Sequence, residues 1–244
     1  MENLSSLLDA MRVRVPEGSA CSDMADTDHS QYKFSEEELL RMLKEDQSVL
    51  YDTGICEYAA QCGYISLLKW LRSQEAPWDS SCTAAAAETG NLSLLQWLIQ
   101  EGCPLSDQAC TLAAEQGHFQ ILVYLRSLPG LVGWESSIVD RCGARGDIQM
   151  AEWALRHGCP WDAGFMCQAV RYGHLHFIIH HVDIGIPVIV GTPDYSLHAD
   201  VHLNISLQCG DEIQAEDLYV EAQHYGQQHI MNWLQERFGS QDFA

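Results

Sequence analysis

Residues 82–104 read Cys82-Thr83-Ala84-Ala85-Ala86-Ala87-Glu88-Thr89-Gly90-Asn91-Leu92-Ser93-Leu94-Leu95-Gln96-Trp97-Leu98-Ile99-Gln100-Glu101-Gly102-Cys103-Pro104, and this stretch decides the fold. Ser80 or Ser81 can cap a helix that runs through the alanines, and Gly90 supplies the left-handed residue that ends it. Asn91 then caps a second helix, Leu92 to Gln100. Its Leu94, Leu95, Trp97, Leu98 and Ile99 form a broad apolar face before Gly102 stops it. Pro104, like Pro77 before this pair, cannot continue a helix, so the chain turns and begins again.

The same markers recur along the chain. Gly63, Gly90, Gly117, Gly146, Gly173 and Gly226 are spaced by 27, 27, 29, 27 and 53 residues, the last interval being two periods. Seven residues after them stand Trp70, Trp97, Tyr124, Trp153, His180 and Trp233. A further seven residues on come Pro77, Pro104, Pro160 and Pro187, and an insertion around Pro129 and Gly130 accounts for the interval of 29. Independent markers at one phase predict a succession of helix pairs. A pair this small cannot bury its apolar face alone, so the pairs are expected to stack into an elongated superhelix. Small side chains at Ala59, Ala60, Ala86, Ala87, Ala113 and Ala114 let first helices approach closely, while Trp70, Trp97 and Trp153 fill the space between second helices.

Three segments resemble the ankyrin repeat: Ala86-Ala87-Glu88-Thr89-Gly90-Asn91-Leu92, Ala113-Ala114-Glu115-Gln116-Gly117-His118-Phe119, and Leu94-Leu95-Gln96-Trp97-Leu98-Ile99-Gln100-Glu101-Gly102. The resemblance extends over roughly residues 54–239, with two departures. The period is near 27 rather than 33, which implies that the hairpin finger is reduced to a plain loop, and Trp replaces the usual Leu on the second helix. The fold implied is all-α, a helical repeat solenoid of ankyrin-like helix-turn-helix pairs with shortened fingers. The function implied is a non-catalytic scaffold that binds a partner protein through its concave face, with no cofactor.

In such repeats the residues just before and just after the Ala-Ala pair lie three apart and share one helix face. Here they are Tyr58 with Gln61, Ala85 with Glu88, Leu112 with Glu115, Arg141 with Ala144, Gln168 with Arg171, and Glu221 with His224. The resemblance implies that stacking lines them into a partner-binding stripe, acidic at Glu88 and Glu115, cationic at Arg141 and Arg171, and acidic again at Glu221. A solvated face without a ligand is the alternative.

The ends read differently. Leu39-Leu40-Arg41-Met42-Leu43-Lys44 copies Leu67-Leu68-Lys69-Trp70-Leu71-Arg72 from 28 residues upstream. Ser35 with Glu38 makes a capping box and Phe34 with Leu39 a hydrophobic staple. The expected organisation is a flexible acidic tail over 1–33 with a short helix around 3–11, a capping half-repeat at 34–53, regular repeats at 54–187, a degenerate repeat or insertion at 188–212, and a C-terminal capping repeat at 213–244. Ile186 to Gly191 suggests an extended segment.

Composition narrows the function. Thirteen Lys and Arg against 34 Asp and Glu give a formal charge of −21, which argues against a phosphate-backbone ligand. The acidic surplus, ten carboxylates from Asp183 to Asp242, suits a protein partner with a basic surface or simply a solvated face. No run reaches the roughly 20 apolar residues of a membrane span, and the start lacks a basic flank. The ten cysteines form no Cys-x-x-Cys pair and read as buried reduced thiols of a cytoplasmic or nuclear protein. His174, His176, His180 and His181 crowd one repeat, but no Cys or acid completes a ligand set at local spacing, so a metal is not expected. Hydrolase, zinc-protease, phosphate-loop and dinucleotide signatures are lacking, so no enzyme activity is expected. Trp78, Trp134 and Trp161 follow turns, and their recurrence favours packing under the next repeat over a role as interface anchors. Alternatives to the scaffold are a structural subunit of a large assembly and a substrate-recruiting adaptor.

Overall fold

The computed structural model describes residues 35–45, 53–130, 133–186, 188–189 and 213–239. Among them are thirteen helices and one two-stranded ladder. They fall in two compact units, Met1–Ser106 and Asp107–Ala244.

In the first unit α1 (Glu36–Glu45) is the first described helix, followed by the pairs α2 (Thr53–Cys62) with α3 (Ile65–Ser73) and α4 (Ser80–Glu88) with α5 (Leu92–Gln100). Helix α1 packs on α3, and α2 packs on α4. The Ser35 hydroxyl accepts the Glu38 N–H at 3.3 Å, the first half of the expected capping box, and Leu39 and Leu43 are buried. Phe34 and the expected tail lie outside the described residues. The cap of α4 differs from expectation: Asp79 accepts the Ser81 N–H at 2.9 Å, so Ser80 and Ser81 are already helical. A carboxylate facing the helix N-terminus competes well with a hydroxyl for that place. Asn91 caps α5 as expected, accepting the Leu94 N–H at 3.0 Å.

The described residues of the second unit form four pairs: α6 (Ala109–Gln116) with α7 (Phe119–Arg126), α8 (Ser137–Arg145) with α9 (Ile148–Arg156), α10 (Gly164–Arg171) with α11 (Leu175–Asp183), and α12 (Ala215–His224) with α13 (Gln228–Phe238). First helices pack in succession, α6 on α8, α8 on α10 and α10 on α12. The pair at 215–238 therefore sits directly against the pair at 164–183. Before it, β1 (Val188–Ile189) runs parallel to β2 (Ile213–Gln214), so the extended segment expected after Ile186 is present as a two-residue ladder. Residues 190–212, where a degenerate repeat or insertion was expected, lie outside the described residues.

The small residues work as their positions suggest. Ala59, Ala60, Ala86, Ala87, Ala113 and Ala114 are buried between helices. Gly143 takes the same place on α8, and a Cβ there would run into the backbone carbonyl of Phe165 on α10. Second helices meet through larger groups, as where Phe119 packs edge-on against Trp153 at 5.4 Å. The turn glycines all have positive φ, for example +78° at Gly90 and +69° at Gly146. Gly146 is constrained twice, since a Cβ would also lie 2.8 Å from the His174 ring. Gly146→Val should cost about 1–3 kcal/mol in backbone strain alone. It is expected to lower the melting temperature, and an unchanged melting curve would refute this account of the turn.

The end of each first helix leaves carbonyls without intrahelical donors, and in the second unit the following pair supplies them. The bond always goes to the carbonyl two residues before the turn glycine. Arg145 donates to Glu115 O at 3.1 Å, His174 to Ala144 O at 2.9 Å and Gln227 to Arg171 O at 3.1 Å. His174 and Gln227 each follow their own turn glycine. Asp147 holds that place after Gly146, but a carboxylate only accepts. It caps its own helix through the Met150 N–H at 3.0 Å, and Arg145 takes over the outward bond. His176 and His229 repeat a second link, to Gly146 O at 3.3 Å and Gly173 O at 3.1 Å.

Candidate interaction surface

All ten residues expected to face a partner lie on first helices. In the first unit Tyr58 and Gln61 are on α2 and Glu88 on α4, with Gln61 and Glu88 exposed and Tyr58 half-buried. In the second unit Leu112 and Glu115 are on α6, Arg141 on α8, Gln168 and Arg171 on α10, and Glu221 and His224 on α12. Arg141 and His224 are exposed and the others half-buried.

The second unit brings its members together side by side. Arg141 Nε lies 3.6 Å from Glu115, and Arg171 lies 3.4 Å from Glu221. Arg171 also covers the Tyr225 ring, 4.9 Å from its centre. In the second unit, acidic and cationic residues of the stripe thus touch where one kind gives way to the other. Neighbouring helices place opposite charges within reach, so they are matched in pairs, each worth about 0–1 kcal/mol at such exposure. Gln168 and Arg141 line a small cavity together with Ser137 and Asp140.

Sequence reasoning missed Tyr172 and Tyr225. Each precedes a turn glycine on neighbouring pairs, and they are 39% and 40% exposed, beside Arg171 and His224. Their fixed phase one residue before Gly173 and Gly226 was the available signal. Asp140 was missed too, because an acid in the first turn of a helix ordinarily reads as a favourable dipole contact.

No family model matches the chain. No curated protein matches it either.

The groups considered for chemistry are held by local partners. His180 Nε2 bonds the Glu152 carboxylate at 2.8 Å, which holds Glu152 below the usual carboxylate range. His181 is fully buried between Phe165 and Phe177, with Nδ1 bonded to Phe177 O at 2.8 Å and Nε2 buried without a partner. Together with His174 and His176, these histidines point to different partners, and the described residues include no group of three or more potential metal ligands. Burial pushes the thiols of Cys56, Cys110 and Cys159 up to about 12, far from the thiolate that nucleophilic chemistry needs. Among the loop tryptophans, Trp78 packs edge-on against Trp97 at 5.9 Å with the Arg72 guanidinium 4.2 Å above its ring. Trp134 repeats this with Trp153 at 6.0 Å and Arg126 at 5.0 Å. Trp161 is buried against Phe165. They serve packing from one pair to the next. No described helix is long and apolar enough to cross a membrane.

Proposed function

We propose that this chain is an ankyrin-like repeat scaffold that binds another protein through its first helices and is not an enzyme. The observation that carries this reading is the repeated bond from each following pair to the carbonyl two residues before the turn glycine. It makes successive pairs equivalent modules, so that the stripe residues recur at one place on each first helix. Along that stripe, Arg171, Tyr172 and Tyr225 have the composition of interface hot spots, planar groups that contribute contact area at low entropic cost. The polar residues Gln223, Gln228 and Asn232 are exposed on the last pair, as suits a terminal cap. The partner is a protein with a basic surface, met in the cytoplasm or nucleus. Nucleic acid remains a poor ligand for a chain of charge −21.

The test is capture of a partner from the native source with the full chain, followed by charge reversal. Because Glu115 pairs with Arg141, reversing both keeps their mutual attraction while inverting what a partner meets. The combined variant Glu115→Arg, Arg141→Glu and Arg171→Glu is expected to weaken binding by about tenfold or more, as charge reversals at an interface do. Its melting temperature should fall modestly, because the Glu115–Arg141 pair is kept in reversed form whereas the half-buried Arg171 loses its ion pair with Glu221 and its contact with the Tyr225 ring. Full affinity in that variant would move the site away from the stripe.

A further inference from the structure

Between helices α8 and α10 lies a partly open cavity of about 120 Å³ lined by Ser137, Asp140, Arg141 and Gln168. One junction earlier, between α6 and α8, Thr111 and Ser137 face each other and bond through their hydroxyls at 3.0 Å. Counted from the turn glycines, Asp140 stands in the place of Thr111 and Gly164 in the place of Ser137. Glycine offers nothing to bond. Gly164 is not among the residues of positive φ, so the backbone does not require a glycine there. It avoids a clash: a Cβ would come within 2.7 Å of Asp162 Oδ1 and 2.9 Å of Asp140 Oδ1, crowding both carboxylates. Asp162 is satisfied by the Gly164 N–H at 2.7 Å, whereas Asp140 Oδ1 is buried without a hydrogen-bond partner. Arg141 is turned toward Glu115.

We propose that this cavity receives a lysine side chain of the bound protein, its ammonium group held by Ser137, Asp140 and Gln168. The proposal rests on the reading of the first helices as the binding surface. An ammonium carries three N–H donors and no acceptor. The Ser137 hydroxyl, the Asp140 carboxylate and the Gln168 amide oxygen offer three acceptors around one small space, and Ser137 keeps lone pairs free when it donates to Thr111. The compact ammonium on a thin stem suits a cavity of this size better than the broad guanidinium. Burial, then the neighbouring Asp162 carboxylate, push Asp140 up to about 6, with Arg141 pulling the other way. The thiols of Cys159 and Cys167, also close, are raised by burial and stay neutral. A seated cation favours the ionised carboxylate, so binding strengthens as pH rises through about 6 and then levels off.

A blocked nonalysine peptide titrated into the full chain at pH 5 and pH 7.5, followed by calorimetry, tests this. Asp140→Asn should weaken binding at pH 7.5 by about tenfold and remove most of the difference between the two pH values, since the charge that selects the ammonium is gone. Its melting temperature at pH 7.5 should be equal or higher, because a carboxylate without a partner is replaced by a neutral amide. Asp217→Asn, which removes an exposed charge on α12, is the control for general attraction and should change affinity by less than about twofold. Gly164→Ser, whose Cβ crowds the Asp140 carboxylate, should act as Asp140→Asn does. Equal losses in the Asp140 and Asp217 variants, unchanged affinity in Asp140→Asn, or no binding of nonalysine to the unaltered chain would each overturn the proposal. If the pocket variants leave the captured partner bound while the reversals at Glu115, Arg141 and Arg171 release it, the pocket alone is wrong. If both sets leave it bound, the stripe reading falls as well.

Discussion

Gly143→Ala should lower the melting temperature by roughly 10 °C, from an overpacking cost of about 3 kcal/mol, although the change is a single methyl group in a helix that alanine ordinarily favours. Propensity alone predicts the opposite sign, because alanine exceeds glycine in a helix interior by about 1 kcal/mol. Packing overrides it here. The added Cβ would meet the Phe165 carbonyl, which is backbone and cannot rotate away, so α8 and α10 must separate. Those helices carry the contact between two pairs, and Phe165, Met166 and Val139 are fully buried there. Moving them apart opens space around close-packed groups that have no other way to fill it. Ala114, at the same place on α6, provides the comparison, since Ala114→Gly should destabilise by about 1 kcal/mol through helix propensity. Thermal melting by circular dichroism of the two variants beside the unaltered chain checks the contrast. A Gly143→Ala protein as stable as its parent would mean that α8 and α10 do not approach as closely as described.

Between pH 7 and pH 4 two buried groups should push stability in opposite directions. Burial, above all, pulls His181 down to about 4 from an ordinary 6.5, with His180 adding to the effect and Glu152 opposing it. The folded state therefore binds fewer protons than the unfolded chain across that window. The contribution of His181 is complete above pH 6.5 and is lost as pH falls toward 4, at most about 3 kcal/mol. Asp140 behaves in reverse. Its folded-state value of about 6 lies above the ordinary 3.8, so its contribution is complete below 3.8 and is lost as pH rises through 6. The unaltered chain is thus expected to show a shallow profile in this range. His181→Leu keeps the volume, removes the group that resists acid, and should gain stability on acidification to about pH 4.5. Asp140→Asn should show the full acid loss from His181, steepened at the low end by Glu152, whose bond to His180 is lost when the carboxylate is protonated. Melting temperatures at half-unit pH steps for the three proteins decide the matter. Parallel profiles would mean that neither group is buried as described.

How much of this was legible beforehand follows from the range of each interaction. The helix from Leu92 to Gln100, its Asn91 cap and the left-handed glycines were readable because a turn and a cap involve residues two to four apart, all present in one short window. The cap of α4 was misread by one or two residues, since Asp79, Ser80 and Ser81 can all accept such a bond and sequence does not say which is nearest. The stripe positions were legible from helical spacing, but their electrostatics were not. Arg141 and Glu115 are 26 residues apart, and Arg171 meets Glu221 across 50 residues, an interval that includes residues outside the described structure. That pairing depends on which helix stacks on which.

By itself the sequence determined the helix pairs, their period, their turns and the small residues that let first helices approach, because periodicity and backbone conformation are local properties repeated along the chain. Only the tertiary structure decided which donor satisfies each exposed carbonyl, that Arg145 acts where Asp147 cannot, that opposite charges along the stripe are matched, and that Gly143 and Gly164 stand where another group needs the space. Burial of His181 and the orphaned oxygen of Asp140 belong to the same class. Each depends on atoms that one pair brings to the next, and a side chain's environment there is set by the distance between helices rather than by its neighbours in sequence.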